Sequence, residues 1–143
     1  MFTLLLGPWD ELSEAARRVR TQVFIQEQGI PESEEWDDLD ALCMHVVVRN
    51  VQGEPLATAR LLPSQNGTAK IGRMAVLPTW RGQGIGALML QRLVQTAQRR
   101  GDQEAVLHAQ SQAQGFYVAQ GFEARGEVFK EVDIDHLLMV KRW

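Results

Sequence analysis

The chain has 143 residues, 45% of them hydrophobic, enough for one globular domain with a sizeable core. Its formal charge of −3 argues against a nucleic-acid binder that works through phosphate contacts, although a local cluster of arginines still suits a small phosphorylated ligand. The one cysteine, Cys43, excludes an internal disulfide and fits a reducing cytoplasm, and no apolar run is long enough to span a membrane.

Phe2 to Leu6 reads as a short first strand. The start lacks the basic region and small-residue cleavage site of a signal peptide. Glu11 to about Ile25 follows as a helix, with Leu12, Ala15, Ala16, Val19 and Val23 on one side. The acid-rich "PESEEWDDLD" reads first as a solvated loop and, alternatively, as the border of a ligand site that attracts a cationic amine. "MHVVVRN" and "PLATARLL" are strands divided by Gln52, Gly53 and Glu54, and "AKIGRMAVL" is a third after the turn at Asn66 and Gly67. A helix begins near Gly86, carries Leu88, Leu90, Leu93, Val94 and Ala97, and stops at Gly101. "EAVLHA" is a buried strand, "SQAQGFYVAQ" a short helix closed by Gly121, and "DHLLMVKR" the last strand. Without regular βαβ alternation, this order predicts an α+β fold: helices packed on a largely antiparallel sheet.

Gly82, Gly84 and Gly86 leave a bare backbone at the start of the central helix, where unpaired N–H groups and the helix dipole favour an anion. A Walker A loop is excluded, because Ala87 and Leu88 follow the last glycine where Lys and Ser or Thr are needed. Gly82, Gly84 and Ala87 do match a dinucleotide fingerprint. However, Asp102 and Glu104 precede the next apolar run rather than end it, and the chain is short for two mononucleotide halves and a substrate domain. A third pattern is R-x-x-G-x-G, Arg81 to Gly86. With "GRMAVLPTW" before it and "GFYVAQGF" after it, this pattern resembles the GNAT superfamily of CoA-dependent N-acyltransferases. "VFIQEQGIPESEEWDDLDALCMHVVV" is similar to the N-terminal signature of its ElaA-like branch, so the resemblance covers nearly the entire chain, 1–143 as a single N-acetyltransferase domain.

The resemblance implies a mixed, largely antiparallel sheet with helices on both faces and a splayed central strand pair where CoA enters. It implies that the backbone of Met74, Ala75 and Val76 serves pantetheine and the thioester. The loop Arg81, Gly82, Gln83, Gly84, Ile85 and Gly86 would hold the pyrophosphate, with Gln112 and Phe116 also on the cofactor. Arg81 with Arg99 or Arg100 would supply positive charge.

For the chemistry, Tyr117 stands where the family places the phenol that protonates the departing sulfur, and a phenol is protonated at neutral pH. His45, His108 and His136 compete as the base. His45 and His108 sit in strands where a neutral, satisfied histidine is the ordinary finding. His136 lies in a C-terminal block similar to that of glyphosate N-acetyltransferase relatives, which implies the base there, with Glu35 in reserve. Cys43 reads as a small core residue, which disfavours a covalent acyl-enzyme.

Trp36 within the acidic run either packs on the acceptor or ties the loop down, and Arg20 and Arg73 are alternative contacts for an acidic acceptor. The expectation is a cytoplasmic acetyl-CoA-dependent N-acetyltransferase. It would act on a small-molecule primary amine in a ternary complex, with no metal, nucleic acid or membrane partner and a homodimer left open. A CoA-binding regulatory module and, more weakly, a nicotinamide-dependent oxidoreductase are the alternatives.

Overall fold

Short β-branched and apolar runs separated by glycine turns form hairpins, and in the computed structural model, which describes residues 1–143, those hairpins assemble into one seven-stranded sheet. The strands are β1 (Thr3–Pro8), β2 (Met44–Arg49), β3 (Pro55–Leu61), β4 (Thr68–Val76), β5 (Glu104–Gln110), β6 (Glu123–Glu131) and β7 (Ile134–Arg142), in the order β1-β2-β3-β4-β5-β7-β6. All pairings are antiparallel except β4 with β5, which run parallel over only three residue pairs, Thr68–Lys70 against Glu104–Val106. Beyond Lys70 the two strands part, which opens the sheet at its middle.

One helix layer lies on each face. On one side α3 (Ile85–Arg99) buries Met89, Leu90 and Leu93 against Val46, Val48, Ala59, Leu61 and Ile71. On the other, α1 (Trp9–Arg20) and the wider π-helical turns Thr21–Glu27 bury Val19, Val23 and Phe24 against Ala75, while Leu12, Ala15 and Ala16 cover Val47. Leu88, counted above with the apolar face of α3, is 43% exposed, and Met89 takes its place in the core. The helix expected from Glu11 to Ile25 is α-helical only to Arg20 and then widens. No helix is long and apolar enough to cross a membrane.

A bulge in β4 alters which side chains face which layer. Thr58 pairs with Ala75 and Arg60 with Gly72, so two steps on β3 match three on β4. The added residue is Arg73, at φ 52°, a left-handed conformation that non-glycine residues adopt at some cost in strain. Because of it Ala69 and Ile71 face α3, whereas Ala75 faces α1.

Strand β6 has no counterpart in the sequence reading. Its side chains are mostly exposed on both faces, so "EARGEVFKE" lacks the buried-exposed alternation that marks a strand. It forms the sheet edge and its pairing to β7 jumps between Arg125 and Phe129, around Gly126.

Candidate active site

The parting of β4 and β5 opens a cavity of about 810 Å³. It runs from the loop before α3, past Tyr117 on α4 (Gln114–Ala119), to a wall made by β5, β7 and the end of β6. At the loop, Gly82 and Gly84 both have φ near 80°, and a Cβ added at either would meet nothing within 4 Å. Their bareness therefore serves the backbone conformation and the open space above it, not packing within the protein. Gly84 caps α3 with no side-chain hydrogen bond to its first N–H groups. Gly86 differs: a Cβ there would stand 3.3 Å from the Phe116 ring, so this glycine lets α4 pack against α3. Gln83 is exposed and Ile85 buries its side chain in the core, so the loop offers backbone here rather than side chains.

Arg81 reaches back across the cavity mouth. Its Nε donates to Val76 O at 2.9 Å and its two Nη atoms to the Glu27 carboxylate at 2.8 and 2.7 Å, which holds Glu27 below the usual carboxylate range. Arg99 and Arg100 do not join it. They lie at the far end of α3, a 15-residue helix about 22 Å long, and Arg100 is taken up by Asp102 and Leu62 O. With Arg81 neutralised by Glu27, the positive end of the site is the N-terminus of α3 with its free N–H groups and dipole.

Tyr117 is 9% exposed and its hydroxyl donates to Met74 Sδ at 3.5 Å. Burial pushes the phenol up to about 12, so it keeps its proton. Met74 and Val76 line the cavity through the frame that the Arg73 bulge sets, and Gln112 donates to Gln110, which in turn pairs with Gln28 across the gap.

The three histidines separate clearly. His45 is buried under Trp9 and bonds Asp40 O, away from the cavity, with burial lowering its pKa. His136 is 6% exposed, lines the cavity and holds Ile134 O through Nδ1 at 2.7 Å. A carbonyl oxygen only accepts, so Nδ1 carries the hydrogen and Nε2 the lone pair. His108 also lines the cavity, contrary to the expectation of a satisfied core histidine. β5 alternates, with Ala105, Leu107 and Ala109 turned to the core and Val106, His108 and Gln110 turned the other way. That period-two pattern was the available signal.

The acidic run is solvated only in part: Glu32, Glu34, Asp37 and Asp38 are exposed, whereas two of its acids turn inward. Glu35 and Asp40 are 2% and 3% exposed and face three arginines from three different elements. Arg20 Nε meets Glu35 Oε2 and its Nη1 meets Asp40 Oδ1, both at 2.8 Å. Arg60 holds Asp37 through two bonds and Asp40 through a third, and Arg73 lies 3.2 Å from Glu35 and 3.3 Å from Asp37. Arg20, offered above as an acceptor contact, is 1% exposed and does not line the cavity. Its guanidinium lies 4.8 Å from the Trp36 ring centre, so Trp36 ties the loop down. Arg73 and Glu35 do line the cavity. Burial pushes the Glu35 carboxyl up against the pull of Arg73 and Arg20. Cys43 is buried and its thiol is likewise pushed up by burial, as suits a core residue.

Comparison with known proteins agrees with this architecture. The acetyltransferase (GNAT) domain profile matches residues 14–143. The N-acetyltransferase YjcF of Bacillus subtilis, itself uncharacterised, is 34% identical over 133 residues, 92% of this chain and 94% of that one. An acyl-CoA N-acyltransferase from Pseudomonas aeruginosa superposes with a TM-score of 0.87 at 33% identity, over 99% of each chain. ElaA of Escherichia coli superposes at 0.89 with 28% identity, covering 99% of this chain and 100% of that one.

The ionic cluster predicts the acid limb of stability. The Arg60 hydrogen bonds draw the Asp37 pKa from 3.8 to about 2 against the opposing effect of burial, so Asp37 stabilises the fold above its ordinary range and ceases to do so as pH falls toward 2. Asp37→Asn should lower the thermal midpoint at neutral pH and flatten its decline between about pH 4 and 2. Parallel melting curves for the two proteins across that window check it.

Proposed function

The chain belongs to the GNAT acetyltransferase family, and we propose that it moves an acetyl group from acetyl-CoA to a primary amine of a small molecule by direct attack while both are bound. The observation that carries this reading is the continuity of one cavity from the bare Gly82–Gly84 backbone at the α3 N-terminus to Tyr117 and the histidine wall. The open space over Gly82 and Gly84 fits a phosphate ligand, which the free N–H groups of α3 would hold. The bound thioester supplies an activated acyl carbon.

The backbone of Met74 to Val76 orients that carbon, and Arg81 braces the loop without leaving Glu27. Tyr117 donates its proton to the departing sulfur. Its hydroxyl already rests on a sulfur, Met74 Sδ, and burial keeps the proton in place until an anion forms. His136 takes the proton of the attacking amine through Nε2. Glu35 is the alternative base, since burial has moved it toward the range such a role needs. Arg73 is the one arginine of the ionic cluster with a quarter of its side chain open, and it contacts an acidic group on the acceptor if there is one. Buried Cys43 supports direct transfer over a covalent route, and as the sole cysteine it accords with a cytoplasmic protein.

Gly84→Ala should fold, with a loss of about 1–2 kcal/mol from the left-handed backbone, since the added methyl meets no protein atom. Acetyl-CoA affinity should drop roughly tenfold or more, the worth of one charge-assisted hydrogen bond. Unchanged calorimetric affinity in the folded variant would remove the loop from the binding site.

Tyr117→Phe keeps the ring and its packing. Turnover should fall by about 10²-fold with little change in acetyl-CoA affinity, and full turnover would leave Tyr117 a structural residue.

If His136 is the base, then with an acceptor already neutral at the working pH, such as trifluoroethylamine, the rate rises with pH along one ionisation that His136→Ala abolishes and Glu35→Gln preserves. Rate profiles of both variants with one acceptor decide between them. Loss of the ionisation in Glu35→Gln alone passes the role to Glu35.

A further inference from the structure

Amide formation from a protonated amine releases two protons from one nitrogen. The ammonium carries three N–H bonds and the amide one. The second proton leaves as the amine attacks, passes to His136, and makes good the proton that Tyr117 gives to the sulfur. The first must leave earlier, because an ammonium has no lone pair with which to attack, and its destination is solvent. His136 is poorly placed for that exit, at 6% exposure with a backbone carbonyl as its partner.

A second histidine on the same wall has the missing properties. His108 Nδ1 lies 2.9 Å from Glu131 Oε2, and the two side chains are 30% and 43% exposed. A carboxylate accepts, so Nδ1 carries the hydrogen and Nε2 is the lone-pair nitrogen of a cavity-lining residue. His108 and His136 share one sheet face, since Gln110 pairs with His136 and stands two residues beyond His108. The Phe129 ring on neighbouring β6 packs near both, its centroid 5.1 Å from that of His108 and 6.0 Å from that of His136. Lys70 and Glu34 are the other exposed charged side chains of this part of the cavity, and neither has an ion-pair partner within 4 Å.

We propose that His108, oriented by Glu131, takes the first proton from the acceptor ammonium and discharges it to solvent, while His136 serves the attack itself. The N–H bond of the ammonium breaks, its electron pair stays on nitrogen, and the proton forms a bond to Nε2. The resulting imidazolium faces the Glu131 carboxylate and passes the proton to water. Glu131 is a positioning residue. This assignment rests on the transferase reading above.

The test uses amine basicity. The acceptor panel pairs alkylamines, which are ammonium ions at neutral pH, with trifluoroethylamine and aryl amines, which are already neutral, and thiol release is followed with acetyl-CoA. His108→Gln should lose about 10²-fold in kcat/KM with the alkylamines and far less with the neutral amines, and Glu131→Gln should follow in the same direction by a smaller factor. Circular dichroism confirms that each variant is folded. Equal losses across the panel, or none, overturn the role of His108 and leave the transferase reading standing. A wild-type protein that binds acetyl-CoA yet releases no thiol with any amine overturns both.

Discussion

Three parallel residue pairs, Thr68–Lys70 against Glu104–Val106, are the whole of the hydrogen-bonded joint between two antiparallel half-sheets, and the site exists because the joint stops there. Had β4 and β5 stayed paired to their ends, their backbones would satisfy each other and fill the space. Their separation leaves peptide groups of β4 facing the gap, with α3 starting on one side of it and α4 bringing Tyr117 to the other. The Arg73 bulge completes the device: one added residue shifts the phase of β4, so that the side chains of Met74 and Val76 pack on the α3 side of the sheet while Ala75 packs under α1.

The half of the cavity opposite the loop is held by charge. Arg20, Arg60 and Arg73 come from α1, β3 and β4, and Glu35, Asp37 and Asp40 from a single short stretch, so the stretch is fastened to three elements at once. Three positive and three negative groups leave no net charge to solvate. Removing any of the four buried members, Arg20, Arg60, Glu35 or Asp40, would strand its partners in a poorly hydrated interior, which is why such clusters are costly to break even where they add little net stability. The strained backbone of Arg73 persists because its guanidinium is held by Glu35 O and by two carboxylates.

Most of the scaffold was legible in the sequence because its signals are local. Glycine punctuation, the periodicity of α3 and the apolar runs of β2 to β4 each depend on a few adjacent residues. What escaped depends on partners far along the chain. The acidic run has the composition of a solvated loop, and nothing near it announces arginines 15 to 38 residues away in sequence. Arg99 and Arg100 were grouped with Arg81 by charge, when helix length alone separates them. His108 was read from the hydrophobicity of its strand, although the alternation Ala105-Leu107-Ala109 already turned it away from the core. The switch from α-helix to wider turns after Arg20 has no marker such as glycine or proline in "TQVFIQE".

Strand β6 also bears on how the protein behaves when concentrated. An outermost strand presents a row of free N–H and C=O groups that a second sheet can extend. Here Glu123, Arg125, Glu127, Lys130 and Glu131 put both signs of charge along that border, and the irregular stretch at Gly126 interrupts the straight run of backbone groups. A copy approaching edge to edge would have to match alternating charges across a kinked template, with Val128 the one large apolar side chain exposed there. The border that is hardest to recognise as a strand is, for the same reason, resistant to uncontrolled sheet growth.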